Sequence, residues 1–150
     1  TIGQIIFEMA AAFYSKIPGP VTWYLRRSYL SKRRKARLRA AAARSQFRHY
    51  PGDWVFEFVE GDGTSFDYGI TITECGLEKF WRAHGLEEFT PYLCLTDWAL
   101  WQTIGIEATR TQTIANGGAC CDFRYVRKGN GGPPGWPPES NSEWTGRYEA

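Results

Sequence analysis

The spacing of apolar residues changes near residue 50, and this change restricts the fold more than any other feature of the chain. Before it, Ile2, Ile5, Ile6, Met9, Phe13 and Ile17 recur mostly at intervals of three and four, the period of an amphipathic helix. Pro18-Gly19-Pro20 ends that helix, because proline lacks a backbone donor and restrains the residue before it. The segment SKRRKARLRAAAARSQF is Ala-rich, has no internal Gly or Pro, and reads as a helix capped by Ser31 or Ser28. From Asp53 onward the period is two: Trp54, Phe56 and Phe58 alternate with Val55, Glu57 and Val59, the turn residues GDGT follow, and a second run carries Ile70 and Ile72. That pattern predicts an antiparallel hairpin.

Helical signals then return. GLEKFWRAHG predicts a short helix with Gly85 at its C-terminal cap, and Thr90 with Pro91 predicts the start of another, in which Cys94 and Asp97 share a face. EATRTQTIA and CCDFRYVR read as a second pair of strands joined across Asn116, Gly117 and Gly118. Helices first, then hairpins interleaved with helices, predict an α+β fold in which an antiparallel sheet packs against helices. A chain of 150 residues fits one domain, residues 1–128, with a helical part up to 49 and a sheet and catalytic part over 50–128. Beyond Lys128 the composition turns to Gly, Pro and Ser, so residues 129–150 read as an irregular tail separable from the core, with Trp136 and Trp144 as anchors.

The net charge of +2 hides an asymmetry: ten Lys and Arg residues from Arg26 to Arg48 occur with no acid between Glu8 and Asp53. Such a run suits nucleic acid, an anionic membrane, or a solvated helix face paired with acids elsewhere in the fold or in a partner subunit. No aromatic residue interrupts it between Tyr29 and Phe47, which weakens any single-strand stacking platform, and the helix is read as structural or subunit-contacting. No nucleic-acid or membrane partner is expected, and association into a homo-oligomer through the N-terminal helices is. The apolar stretch near the start is broken by Gln4, Glu8, Ser15 and Lys16, too often for a transmembrane span.

Four cysteines, Cys75, Cys94, Cys120 and Cys121, are too sparse for a disulfide scaffold and read as reduced thiols of a cytoplasmic protein. A bridge between neighbours Cys120 and Cys121 would be strained: their Cα atoms lie about 3.8 Å apart, against about 4.4–6.8 Å in ordinary disulfides. The order of ITECGLEKFW, PYLCLTD and RTQTIANGGACCDFRY resembles the L-2-amino-thiazoline-4-carboxylic acid hydrolase family, over about residues 53 to 126. The family pattern has an "EC" after a strand, a "C..D" in a helix and "R..T.A.GG..CDF"; Cys120 and the Pro/Gly-rich tail depart from it. The resemblance implies a small-molecule substrate and hydrolytic opening of a ring at a carbon flanked by heteroatoms, with no cofactor.

Such a carbon is electrophilic, and a thiolate is the strongest nucleophile among neutral-pH side chains. Cys121 or Cys94 is the candidate nucleophile. Asp97, Asp122 and Glu74 are the candidate proton carriers. Arg110 is suited to a substrate carboxylate through a bidentate contact, with Thr111, Thr113, Cys75, Gly118 and Phe123 completing the expected substrate contacts. Backbone N–H groups of Gly117 to Ala119 are candidates for stabilising the tetrahedral intermediate. Alternation along the last strand puts Cys121, Phe123 and Tyr125 on one face and Cys120, Asp122 and Arg124 on the other, so Cys121 and Asp122 cannot share a pocket if the strand is regular. Asp122 is also suited to fixing the turn.

The alternative is a small-molecule-binding module resembling domains related to vinyl reductases, with a structural zinc held by the separated thiols and Asp97 or Glu74. The spacing lacks CxxC, which weakens that reading.

The basic helix generates a direct test. Duplex DNA at micromolar protein in physiological salt is expected to show no binding by fluorescence anisotropy. Binding with a steep salt dependence would mark the cations as phosphate contacts instead.

Overall fold

The computed structural model of the chain describes residues 1–126 and 143–149. Three helices open it: α1 (Ile2–Tyr14), α2 (Gly19–Tyr29) and α3 (Lys32–Ser45). The sequence pattern separated α1 from α3 but not α2, whose start at Gly19 makes Pro18 the N-cap and keeps Pro20 within the first turn, where its missing N–H breaks no helical bond. Ser31 is the cap of α3, its hydroxyl accepting from Arg34 N–H at 3.1 Å. The hairpin follows as β1 (Val55–Glu60) and β2 (Tyr68–Glu74), then α4 (Gly76–Ala83), α5 (Thr90–Ile104), β3 (Glu107–Thr109) and β4 (Cys121–Val126).

The four strands form one antiparallel sheet in the order β1-β2-β4-β3. With its helical N-terminal region, this is the α+β fold that the change of period predicts. Register places Ile72 opposite Cys121, Ile70 opposite Phe123 and Tyr68 opposite Tyr125. The core joins these side chains to Trp98, Ala99, Trp101 and Ile104 of α5 and Phe7 of α1. Tyr125 stands at its centre, with ring centroids 4.9 Å from Tyr68, 5.8 Å from Tyr29 and 5.9 Å from Trp101.

The cations of α3 divide by side. Arg34 lies over the Tyr29 ring at 3.9 Å, Lys35 donates to the Asp67 carbonyl at 3.2 Å, and Arg39 stacks on Phe58 while donating to both Glu60 oxygens at 2.6 and 2.8 Å. Lys32, Arg33, Arg37 and Arg44 face solvent. No helix among the described residues is long and apolar enough to cross a membrane.

Two local expectations change. Thr90 does not cap α5: a 3-10 turn over Glu87–Phe89 runs directly into the helix, so Thr90 already has helical dihedrals and its buried hydroxyl makes no hydrogen bond among the described residues. The second hairpin is short, because after Thr109 the chain leaves the sheet and returns only at Cys121, with a 3-10 turn at Ile114–Asn116 between. Residues 143–149 also contact the core. Glu143 is buried, Tyr92 donates to the Tyr148 carbonyl at 2.8 Å, and the Glu149 carboxylate accepts the free N–H groups of Ile2 and Gly3 at 2.9 and 2.6 Å, a favourable position for a negative charge at a helix start. Trp136 lies outside the described residues; Trp144 packs on Tyr92 with centroids 5.7 Å apart.

Gly105 ends α5 in the left-handed conformation at φ +66°, with nothing nearer than 3.5 Å to the position a Cβ would take. Gly105→Ala is therefore expected to cost about 1 kcal/mol, from backbone strain alone. Urea denaturation checks this: the midpoint should fall with an unchanged slope, and an unchanged midpoint would contradict it.

Candidate active site

Helix α5 presents Cys94, Asp97, Trp98 and Trp101 at spacings of three, one and three, and β4 presents Cys121 and Phe123 toward the same core. Between them lies Arg110, the first residue after β3, with its side chain fully buried. Its guanidinium donates through Nη1 to Asp97 Oδ2 at 2.7 Å and through Nη2 to the Cys94 carbonyl at 2.8 Å. The remaining edge, Nε and Nη2, grips both oxygens of Glu143, with Nη2 to Oε1 at 2.7 Å. Trp98 Nε1 adds a third donor to Oε1 at 2.6 Å. The guanidinium carbon stands 4.7 Å from the Phe123 centroid, 5.5 Å from Trp101 and 5.8 Å from Trp98, so the charge is walled by aromatic faces.

Charge in this site follows from burial and pairing. Desolvation works against the charge on Arg110, but Glu143 and Asp97 outweigh it and raise its pKa. Desolvation raises the Asp97 carboxyl, and Arg110 offsets this only in part; 42% of the Asp97 side chain remains exposed at the rim. All four cysteines are free. Burial pushes the Cys121 thiol up to about 11, against the N–H of Ile114, which points at Sγ from 3.3 Å, and the charge of Arg110, both of which favour the thiolate. Burial drives Cys94 higher still, and raises Cys75. Cys94 feels both Cys121 and Cys75, and Cys121 feels Cys75, so the three belong to one region.

The other expected site residues are engaged elsewhere. Asp122 lies on the opposite face of β4, as alternation requires, and accepts the N–H groups of Thr111 and Gln112 at 2.8 and 3.0 Å. Those amides are thereby lost to the sheet, which is why β3 stops at Thr109. Glu74 is held at 2.6 Å by both Arg48 and Lys79. Thr111 is exposed, whereas Thr113 is buried and caps the 3-10 turn through Asn116 N–H at 3.2 Å. The backbone donors of the glycine turn are not available to an intermediate, contrary to expectation. Gly117 donates to the Ile114 carbonyl at 3.0 Å, Gly118 to the Thr113 carbonyl at 2.8 Å and Ala119 to Gln112 Oε1 at 3.1 Å. Gly118 is there for space, since a Cβ would stand 2.9 Å from Gln112 Cβ and from the Thr113 carbonyl oxygen. Among the described residues, no three His, Cys, Asp or Glu side chains converge as a metal site.

Sequence reasoning missed Glu143. It sits in a Gly/Pro/Ser-rich stretch with no periodicity, and only the demand of a buried arginine for an acid could have pointed to it.

A model of the L-2-amino-thiazoline-4-carboxylic acid hydrolase family matches residues 22–125, more than half of the chain. No curated protein and no solved structure matches it.

The raised thiols predict a loss of stability in alkali. A group whose pKa is raised by folding stabilises the fold while it stays protonated. Its contribution is complete below the ordinary thiol value of 9.0 and is lost as pH climbs through about 11 for Cys121. Tyr125 and other buried tyrosines titrate upward in the same way, so the measurement compares two proteins. Urea midpoints followed across this window should fall less steeply for Cys121→Ala than for the parent, and parallel profiles would show that the thiol is not buried.

Proposed function

The chain belongs to the L-2-amino-thiazoline-4-carboxylic acid hydrolase family, and from that premise we propose that it hydrolyses a small cyclic C–N/C–S compound carrying a carboxylate, such as a 2-aminothiazoline carboxylic acid. The observation that carries this reading is the Arg110 fork, walled by Trp98, Trp101 and Phe123, beside two thiols. A bidentate guanidinium suits a planar carboxylate, and the aromatic faces suit a flat ring.

In this reading Arg110 holds the substrate carboxylate and Phe123 supports the ring. Cys121 is the nucleophile: its sulfur adds to the ring carbon between the heteroatoms, one ring bond breaks, and the thiol proton goes to the departing heteroatom. Water then releases the product and restores the thiol. Ile114 N–H and Arg110 favour the anionic sulfur during the attack. Asp97, whose pKa burial raises and whose side chain is partly exposed, is suited to carrying the proton, and Cys94 lines the same region. Asp122 and Glu74 serve the scaffold, Asp122 by holding the 110–112 segment and Glu74 by joining Arg48 and Lys79. Cys75 at the start of α4, Thr113 and Gly118 shape the surrounding loop and core. The four free thiols support a cytoplasmic location. Exposed Ile2, Ile5, Met9 and Phe13 along α1 support pairing with a second copy.

Cys121→Ala is expected to abolish turnover of 2-aminothiazoline-4-carboxylate while the thermal midpoint stays close to the parent's. Cys120→Ala, whose thiol lies on the other strand face, is expected to keep most of it. Turnover and thermal denaturation of both variants check this; an active Cys121→Ala protein would move the nucleophile to Cys94.

A further inference from the structure

The carboxylate site proposed above is already filled from within the chain. Arg110 and Glu143 are 0% and 1% exposed, and every donor on the open edge of the guanidinium is used by Glu143. A substrate acid cannot reach Arg110 while Glu143 remains. We infer that Glu143 is an internal carboxylate ligand occupying the substrate-acid position, and that a small carboxylate competes with it and displaces residues 143–149. This rests on the reading of Arg110 as the carboxylate holder.

Three observations favour an internal competitor over a permanent ion pair. The first is that the socket is built without Glu143: the guanidinium is oriented by Asp97 and the Cys94 carbonyl, both on α5, and the indole donor Trp98 is on the same helix. Removing Glu143 leaves Arg110 one counter-charge among the described residues, Asp97, and an open bidentate edge that an external carboxylate fits. The second is the division of the chain. Arg110, Asp97, Trp98, Cys94 and Phe123 all fall inside the family-matched residues 22–125, whereas Glu143 lies beyond them.

The third is the character of the segment's other contacts. Apart from Glu143 they are peripheral: Tyr148 through its carbonyl to Tyr92, Thr145 to Asn116 at 3.2 Å, Trp144 against Tyr92, and Glu149 at the start of α1. One carboxylate is exchanged for another on the same three donors, so the charge balance of the buried site is kept, and the apparent affinity for the external acid is reduced by the fraction of time the socket is closed. The same displacement frees the Ile2 and Gly3 amides that Glu149 covers.

Hydrogen exchange with mass spectrometry on the unaltered full chain tests this, with 2-aminothiazoline-4-carboxylate as probe and its carboxamide as control. The acid is expected to speed exchange in residues 143–149 and at the start of α1, and the amide is expected to do neither. Bound acid with exchange in 143–149 unchanged or slowed would overturn the inference. In kinetics, Glu143→Gln is expected to lower KM by about tenfold, as removal of a competing closed state requires.

A second variant separates this inference from the hydrolase reading. Glu143→Ala removes the equivalent of one acetate from the socket, so its thermal midpoint should rise with acetate concentration and not with acetamide. If acetate restores the variant while the thiazoline acid neither binds nor turns over, the socket stands and the proposed substrate falls. If acetate gives no more than acetamide, Glu143 is a fixed structural partner and the inference fails. Should Glu143→Ala not fold even in acetate, the exchange measurement on the unaltered chain decides.

Discussion

A fully buried guanidinium governs this structure. Arg110 cannot remain in the core unless its charge is balanced and its donors are used, because breaking one partner from a buried pair typically costs about 3–5 kcal/mol. Meeting that demand draws three distant parts of the chain together. Helix α5 supplies the Cys94 carbonyl and the Asp97 carboxylate, the chain after β4 supplies Glu143, and the aromatic walls come from α5 and β4. The same requirement explains the short β3. Once Arg110 turns its side chain inward, the next residues follow a path set by Asp122, whose carboxylate takes the amides that would have extended the ladder.

The thiols take their character from this arrangement. Cys121 and Cys75 are part of the apolar core and Cys94 borders it, so burial favours the neutral form of each. Such thiols resist chance alkylation and oxidation, which act on exposed thiolates. What distinguishes Cys121 is the presence of an amide donor and a cation close enough to favour its anion. Opening the socket would bring water and a reacting carbon to a sulfur that the closed form keeps inert. Reactivity and access would then be linked through one carboxylate.

The basic N-terminal helices serve the sheet on one side and solvent on the other. Arg34, Lys35 and Arg39 lay their stems and charges over Tyr29, Tyr68 and Phe58, which extends the aromatic core outward with cations as its lid. Arg33, Arg37 and Arg44, with Arg27 and Tyr24, line an open cleft of about 670 Å³. The cations in α3 thus do two kinds of work, and a count of charge along the sequence cannot separate them.

Features that repeat with a local period are legible in the order of residues. Apolar spacing separates the helical start from the hairpins, and alternation along β4 puts Cys121, Phe123 and Tyr125 on the buried face and Asp122 opposite. Those features follow from backbone geometry, which acts between near neighbours and so leaves a periodic trace. Residues that meet across the fold leave none. Glu143 finds Arg110 across 33 positions, and nothing in its Gly/Pro/Ser-rich surroundings marks it as a core residue. The glycine turn looked free to bind an anion, yet its amides close on Ile114, Thr113 and Gln112, because a loop that buries one face must satisfy its own donors first. Such pairings are set across the fold. They depend on which buried charge needs a partner and on which segment can reach it once the core has closed.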